Sequence, residues 1–517
     1  MDLCGRHRGT DVPRSPVGSD LLYTGAEITD HQWDHPVTQF VIDHLLSLGT
    51  VLGYLLTLLL VPWVFLQRNK QPVSTLAWIM AILLLPYVGG LLFVVFGVNR
   101  VERRATRKLE SNLAIGRALP ELTQYQLVPD EAFEPQVQRL MRLADRLTDA
   151  RPCHGNKVEI LADTNMTQAL IEQAVQSATH SLHLEYYIWQ PDRTGARLRD
   201  MLIERAKAGV QVRFLYDGIG SFGLTKKFLR PMLDAGIQVA SFLPGRSWRE
   251  RWSINLRSHR KIVIVDGQVG FTGGMNVGDE YLGRNPHLGY WRDTHLRLHG
   301  PVVLQLQQVF AEDWFFATNE QLTHHDYFPH PTDSGEQVAQ VVDGGPEGDF
   351  PAFYSLFFAA INEARERVTL ATSYFVPTEA LSMALGTAAQ RGIQVRLLLS
   401  GHGAYPWMVL AGQSYYESLL ASGVEIYEYQ KGLMHSKTLT IDGIWSLVGS
   451  ANLDCRSLLL NFEVGVVMYD PRMAAKLEDQ FEADLRHATR IEHAVWQHRP
   501  YAQKLAESFL RLFEPIL

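Results

Sequence analysis

Beyond residue 150 the chain repeats itself, and this constrains its fold more than any other feature. In the first copy SLHLEYYIW (181–189) is followed by AGVQVRFLYD (208–217) and AGIQVASFL (235–243). In the second, RVTLATSYFVP (367–377), RGIQVRLLLS (391–400) and SGVEIYEY (422–429) come in the same order, about 180 residues later. Each block is a short β-rich apolar run preceded by a helix-like stretch such as GARLRDMLIERAKAG, the alternation of α/β domains. Two related α/β domains are expected, over 151–330 and 331–517. The stretch 318–350, rich in His, Pro, Gly, Asp and Thr, supplies much of their connection. A chain of 517 residues, 46% hydrophobic, exceeds what one core organises and has ample apolar surface for two.

The first hundred residues read differently. The run from about Leu45 to Leu66 carries no charge and is long enough to cross a bilayer. A second apolar run, from about Val73 to Val98, follows after Gln67, Arg68, Asn69, Lys70 and Gln71, a connection short enough to force a hairpin. Five basic residues follow the second run (Arg100, Arg103, Arg104, Arg107 and Lys108), against Arg68 and Lys70 in the connection. This bias places the large C-terminal part on the cytoplasmic side. The expected organisation is a polar segment 1–36, two transmembrane helices within 37–100, a connecting segment 101–150 and the two α/β domains.

Near the end of the first copy stands RSHRKIVIVDGQVGFTGGMN and near the end of the second MHSKTLTIDGIWSLVGSAN. His259, Lys261 and Asp266 therefore match His435, Lys437 and Asp442 at identical spacing, HxKxxxxD in both, which chance does not supply at equivalent points of a repeat. Two residues apart in an extended run, imidazole and ammonium project from one face. The Asp-Gly pairs at 266–267 and 442–443 signal two-residue hairpins. Folding back on them sets Gly273 and Gly274 across from His259, and Gly449 and Ser450 across from His435, small residues that leave room for substrate. Asn276 and Asn452 follow, with amides able to donate to oxygens held by the lysines. A histidine beside a lysine with neutral donors suits phosphodiester chemistry, and two copies face to face supply a nucleophile and an acid. The repeat does not distinguish the two histidines; the working assignment is His259 as nucleophile and His435 as acid.

These motifs resemble the phospholipase D superfamily, whose HxKxxxxD is followed by a GSxN or GGxN turn, present here as GGMN (273–276) and GSAN (449–452). The resemblance implies a pseudo-twofold pair of α/β domains, each a mixed sheet flanked by helices, a phosphohistidine intermediate and no required metal or cofactor. It also implies that the motif aspartates are often structural while a later carboxylate orients each histidine. Asp293, in GYWRDTHLR, and Glu463, in LNFEV, are the candidates. GGMNVGDEY, GYWRDTHLRLHGP and the paired apolar runs are similar to bacterial cardiolipin synthases. That narrower resemblance implies an inner-membrane enzyme moving a phosphatidyl group between two phosphatidylglycerols and releasing glycerol. Hydrolysis or exchange on other phospholipids, phosphatidylethanolamine among them, remains open, because the incoming alcohol depends on pocket shape. A nuclease is disfavoured by the apolar hairpin, the net charge of −7 and a pI of about 6.3, and no nucleic-acid partner is expected.

Four further features are weighed. Arg246, Trp248, Arg249, Arg251, Trp252, Arg257 and Arg260 suit an anionic membrane surface or a solvated loop equally. The stripe Leu505, Phe509, Leu512, Phe513 and Ile516 on the last helix is expected to pack on the domain. Gly218, Gly220 and Gly223 spell GxGxxG without a compelling acidic partner, so no nucleotide cofactor is read. His324, His325, Asp326 and His330 lack ligand spacing and read as linker histidines. The cysteines Cys4, Cys153 and Cys455 are too scattered for a zinc site, so no metal is assigned.

Overall fold

In the computed structural model residues 36–66, 72–97, 115, 124–127, 132–242, 256–346, 350–403 and 405–514 are described. The polar N-terminus to residue 35, the connection 67–71, the basic cluster at 100–108, the segment 246–252, Cys4 and Ile516 lie outside them, as do the expectations placed there. The chain divides into two compact units, Met1–Gly97 and Val98–Leu517.

In the first unit helices span Pro36–Leu58, Leu60–Leu66, Pro72–Leu84 and Pro86–Leu92, with a π-helical turn at Phe93–Gly97. Asp43–Leu66, 24 residues, is long and apolar enough to cross a membrane. At 1.5 Å per residue it reaches about 36 Å against about 30 Å of hydrocarbon. The second apolar run is not the unbroken helix expected. Pro86 has no N–H and drives Leu85 out of the helical region (φ −126°, ψ 68°), so the continuous apolar helix ends at Leu84. The two arms pack closely: Tyr87 Oη donates to the Thr50 carbonyl at 2.5 Å, and a Cβ on Gly90 would come within 2.7 Å of Thr57 Cγ2.

The second unit is built on one 15-stranded sheet. From one edge the order is Ala488–Arg490, Glu425–Tyr429, Gln394–Ser400, Arg367–Thr372, Thr438–Ile441, Trp445–Gly449, Glu463–Met468 and Gln337–Gly344. It continues through Cys153–Leu161, His295–His299, Val269–Gly273, Lys261–Val265, Ser181–Tyr186 and Gln211–Tyr216 to Gln238–Ser241. Each repeat contributes a parallel trio and, towards the seam, antiparallel strands; in the second repeat the antiparallel Ala488–Arg490 lies outside the trio, and the repeats join where Cys153–Leu161 pairs with Gln337–Gly344. The recurrent Gly in AGVQV, AGIQV, RGIQV and SGVEI ends a helix: Gly209, Gly236, Gly392 and Gly423 lie at φ 86–96°, where a side chain is disfavoured, and a strand follows.

One hydrophobic cluster underlies each repeat, and a third lies beneath the seam, where Leu296, Leu298, Leu306 and Phe310 meet Val341, Val464, Val466 and Met473. The segment 101–150 is more than a connection. Its helix Pro135–Leu147 buries Val137, Leu140, Met141 and Ala144 against Phe353 and Leu356 of the second repeat. The last helix, Tyr501–Arg511, reverses expectation. Glu507 is its buried residue, held by Arg499 at 2.8 Å, while Leu505, Phe509 and Leu512 of the apolar stripe are 58–74% exposed.

Candidate active site

The chain around each motif histidine is fixed by the other repeat. His259 and His435 stand just before the strands that begin at Lys261 and Thr438, rather than within them. The His259 N–H donates to the Phe462 carbonyl at 2.8 Å and the His435 N–H to the Arg292 carbonyl at 2.7 Å. These acceptors immediately precede Glu463 and Asp293, and the side chains repeat the exchange. His259 Nδ1 lies 2.9 Å from Glu463 Oε2, and His435 Nδ1 lies 2.7 Å from Asp293 Oδ2. All four groups are buried.

A carboxylate at Nδ1 fixes the Nδ1–H tautomer and leaves the Nε2 lone pair available. Burial, reinforced by the lysines, pushes His259 down to about 4 and His435 down to about 3, against the opposing pull of their carboxylates. Both imidazoles are therefore neutral near pH 7. Glu463 and Asp293 are held below the usual carboxylate range despite burial, chiefly by the paired histidines. Glu463 also accepts from Ser450 Oγ at 2.5 Å and Asn461 Nδ2 at 3.2 Å, while Asp293 accepts from the Thr294 N–H at 2.8 Å.

Lys261 and Lys437 each donate to the carbonyl of their own motif histidine at 2.6 Å, which folds the ammonium back along the extended run. Burial lowers Lys261 to about 7 and Lys437 to about 8. Each lysine acts on the histidine of the other repeat as well as its own, so the two half-sites form one electrostatic unit. Asn276 Oδ1 accepts from the Ile188 N–H at 3.1 Å and its amide also bonds Tyr281, and Asn452 Oδ1 is buried without a partner among the described residues.

The motif aspartates, which complete each HxKxxxxD and were expected with its histidine and lysine among the site residues, stand at the far end of the strands. Asp266 accepts from the N–H groups of Thr179, His180 and Ser181, and Asp442 from those of Arg365, Glu366 and Arg367. They tie each hairpin to its neighbouring strand. Both adopt left-handed conformations (φ 51° and 52°), as do Gly267 and Gly443. The ladders close on Val265↔Val269 and Ile441↔Trp445, so three residues form each turn instead of the expected two, and the register shifts by one. Two of the small residues beyond, Gly274 and Ser450, lie against the carboxylates, while a Cβ on Gly273 or Gly449 would meet the backbone of a neighbouring strand. A Cβ on Gly274 would overlap Asp293 Oδ1, whereas at the equivalent position Ser450 bonds Glu463 directly.

Sequence reasoning passed over Tyr187, Trp291 and Arg292, and read Arg260, fully buried in the structure, as part of a membrane-facing or solvated stretch. Tyr187 stands edge-on to His259 at 4.9 Å and Trp291 flanks His435 at 5.0 Å. The fully buried Arg260 guanidinium donates to the Glu463 carbonyl at 3.1 Å and pairs with Asp313 and Asp343. Arg292 likewise donates to the Asp293 carbonyl and pairs with Asp484 at 2.9 Å. Arg260 and Arg292, each beside a motif or carboxylate residue, were visible as adjacent charges; their targets were not. Outside the cleft, His324 and His325 come within 3.3 and 3.2 Å of Asp326, all three exposed.

Residues 171–314 and 357–485 match the family described as "Cardiolipin synthase, PLD-like domain", and 54–97 match "Phospholipase_D-nuclease N-terminal". The fold resembles that of phosphatidylserine synthase from Haemophilus influenzae, with a TM-score of 0.57 at 15% identity over 73% of this chain and 100% of that one. A duplicated α/β sheet with paired HxK histidines at its seam is the architecture of the phospholipase D superfamily. Cardiolipin synthase of Geobacillus kaustophilus is 38% identical over 458 residues, 87% of this chain and 90% of that protein. Cardiolipin synthase 1 of Bacillus cereus is 36% identical over 483 residues, 91% and 95% of the two chains. The chain belongs to the bacterial cardiolipin synthase family of that superfamily, and it is a phosphatidyltransferase.

Proposed function

We propose that the enzyme transfers a phosphatidyl group from one phosphatidylglycerol to a hydroxyl of another, giving cardiolipin and glycerol through a phosphohistidine. The observation that carries this reading is the reciprocal pairing of His259 with Glu463 and His435 with Asp293, which presents two neutral imidazoles, each with a free Nε2 edge, to one site. In the first step the bound anionic phosphodiester lets His435 take up a proton from water, His259 Nε2 bonds phosphorus, the bond from phosphorus to the glycerol oxygen breaks, and His435 gives that proton to the oxygen. In the second, neutral His435 takes the proton of the incoming hydroxyl, its oxygen bonds phosphorus and the phosphorus–nitrogen bond breaks. The lysines and Asn276 hold the non-bridging oxygens. The donors around Glu463, which keep it ionised, favour His259 as the residue that becomes cationic on phosphorylation. In this reading both N-terminal arms cross the inner membrane and the large unit faces the cytoplasm, in keeping with the basic residues after the second arm.

The test is detergent-solubilised protein given radiolabelled phosphatidylglycerol alone, beside His259→Ala and His435→Ala. Cardiolipin and glycerol from the wild type only support the synthase. Phosphatidic acid without cardiolipin indicates a hydrolase, and in a parallel assay turnover of labelled phosphatidylethanolamine but not of phosphatidylglycerol indicates another donor. Label trapped by rapid quenching on a peptide containing residue 435 instead of 259 would reverse the histidine roles. Protease protection in sealed vesicles reports the orientation.

A further inference from the structure

The two half-sites match in their histidines, lysines and asparagines but not in charge. Counting from the motif histidines, Arg257 corresponds to Leu433, and counting from GGMN and GSAN, Arg456 corresponds to Glu280. Two arginines thus stand where the equivalent positions of the other repeat carry an apolar and an acidic residue.

The arginines converge beside the reacting groups. The Arg257 carbonyl accepts from the Phe462 N–H at 2.8 Å and the Arg456 carbonyl from the Asn461 N–H at 2.9 Å, so both flank the segment that delivers Glu463 to His259. Their guanidinium groups are near enough for Arg456 to weaken the hold of Arg257 on its proton, and both act on the Tyr187 hydroxyl, whose ring adjoins His259. Arg257 is 7% exposed, and Nη1 donates to the Leu256 carbonyl at 2.7 Å. Among the described residues no carboxylate lies within ion-pair distance of it. Asp217 faces it, but the Asp217 oxygens already accept from the N–H groups of Ile219, Gly220 and Ser258. Asp454 faces Arg456 and accepts from the Ser457 N–H. A buried guanidinium whose facing carboxylate is already held by three N–H groups, beside a second guanidinium, can take a further anion.

The reaction proposed above supplies the anion. The donor phosphate occupies the histidines and lysines, and the departing glycerol is neutral. The acceptor brings a second phosphodiester, one glycerol unit away from the hydroxyl that attacks. We infer that Arg257 and Arg456 bind the phosphate of the acceptor lipid, and thereby select a phosphatidyl alcohol over water and free glycerol. This rests on the synthase reading and adds the feature that sets transfer apart from hydrolysis.

The test compares two acceptors for one phosphatidyl-enzyme. Full-length protein in mixed micelles of phosphatidylglycerol receives tritiated glycerol, and cardiolipin formation and tritium exchange into phosphatidylglycerol are measured together. Both share the donor step, so their ratio isolates the acceptor. The expected result is a fall of about tenfold in the cardiolipin-to-exchange ratio for Arg257→Gln and for Arg456→Gln, with Arg257→Lys retaining most of it. An unchanged ratio in Arg456→Gln, or cardiolipin formation and exchange falling in step in both variants, overturns the subsite. If Arg257→Gln does not fold, the half-buried Arg456 decides alone. Wild-type protein that exchanges glycerol without forming cardiolipin overturns the synthase reading itself, and the subsite with it.

Discussion

Glu463 Oε2 receives His259 Nδ1 at 2.9 Å although 204 residues separate them and each belongs to a different repeat. Asp293 returns the arrangement to His435 across 142 residues. Neither repeat can build a complete half-site by itself, because the carboxylate that sets each imidazole's tautomer arrives from its neighbour. The duplication thus supplies more than a second histidine.

Replacing Glu463 with Gln keeps the shape but offers Nδ1 a neutral partner in place of an anion. We expect the rate of cardiolipin formation to fall by about 100-fold or more. His259→Ala in the same background should add far less than it costs alone, as for groups acting as a unit. Additive losses would count against the pairing as the working unit.

Gly274→Ala tests how closely the GGMN turn approaches Asp293. The added methyl overlaps Asp293 Oδ1 and displaces the carboxylate from His435. Turnover should drop by one to two orders of magnitude, with far-UV circular dichroism unchanged.

Asp266 and Asp442 should behave as structural residues. Asp266→Ala strands three backbone N–H groups and places alanine at φ 51°, a combined cost of about 3 kcal/mol or more. Thermal unfolding should shift down by several degrees while the folded fraction keeps its KM.

The histidines make stability pH-dependent. Folded, His259 titrates at about 4 and His435 at about 3, against about 6.5 for an unfolded chain. Between these values the unfolded state binds more protons, so stability is full above about pH 6.5 and is lost as pH falls towards 4. The melting temperature should decline over that window, and less steeply in His259→Gln.

Lys261 bears on the alkaline side. Burial leaves the ammonium titrating at about 7 in the ligand-free protein, and a bound phosphodiester restores its proton. KM for phosphatidylglycerol should therefore climb above pH 7, by at most about tenfold per unit for one linked proton. A KM flat from pH 7 to 9 would exclude Lys261 as a phosphate ligand.

The sequence by itself determined the two α/β repeats, the pairing of His259 with His435 and of Lys261 with Lys437, and a membrane-length apolar helix. Each of these is written locally, in strand and helix periodicity, in Gly at helix ends and in motif spacing. Asp293 and Glu463 were recognisable as carboxylates with a task, but which histidine each serves was decided by the seam between Cys153–Leu161 and Gln337–Gly344, a contact without local signature. The same holds for the turn register, set by one extra residue in each hairpin, and for the last helix, where the Arg499–Glu507 pair turns the charged side inward. Arg260 and the pair Arg257 and Arg456 look alike in sequence as basic residues near a motif. Only the tertiary structure separates Arg260, neutralised by Asp313 and Asp343 beneath the seam, from Arg257, which has no such pair among the described residues, because burial and partners are properties of the packed chain.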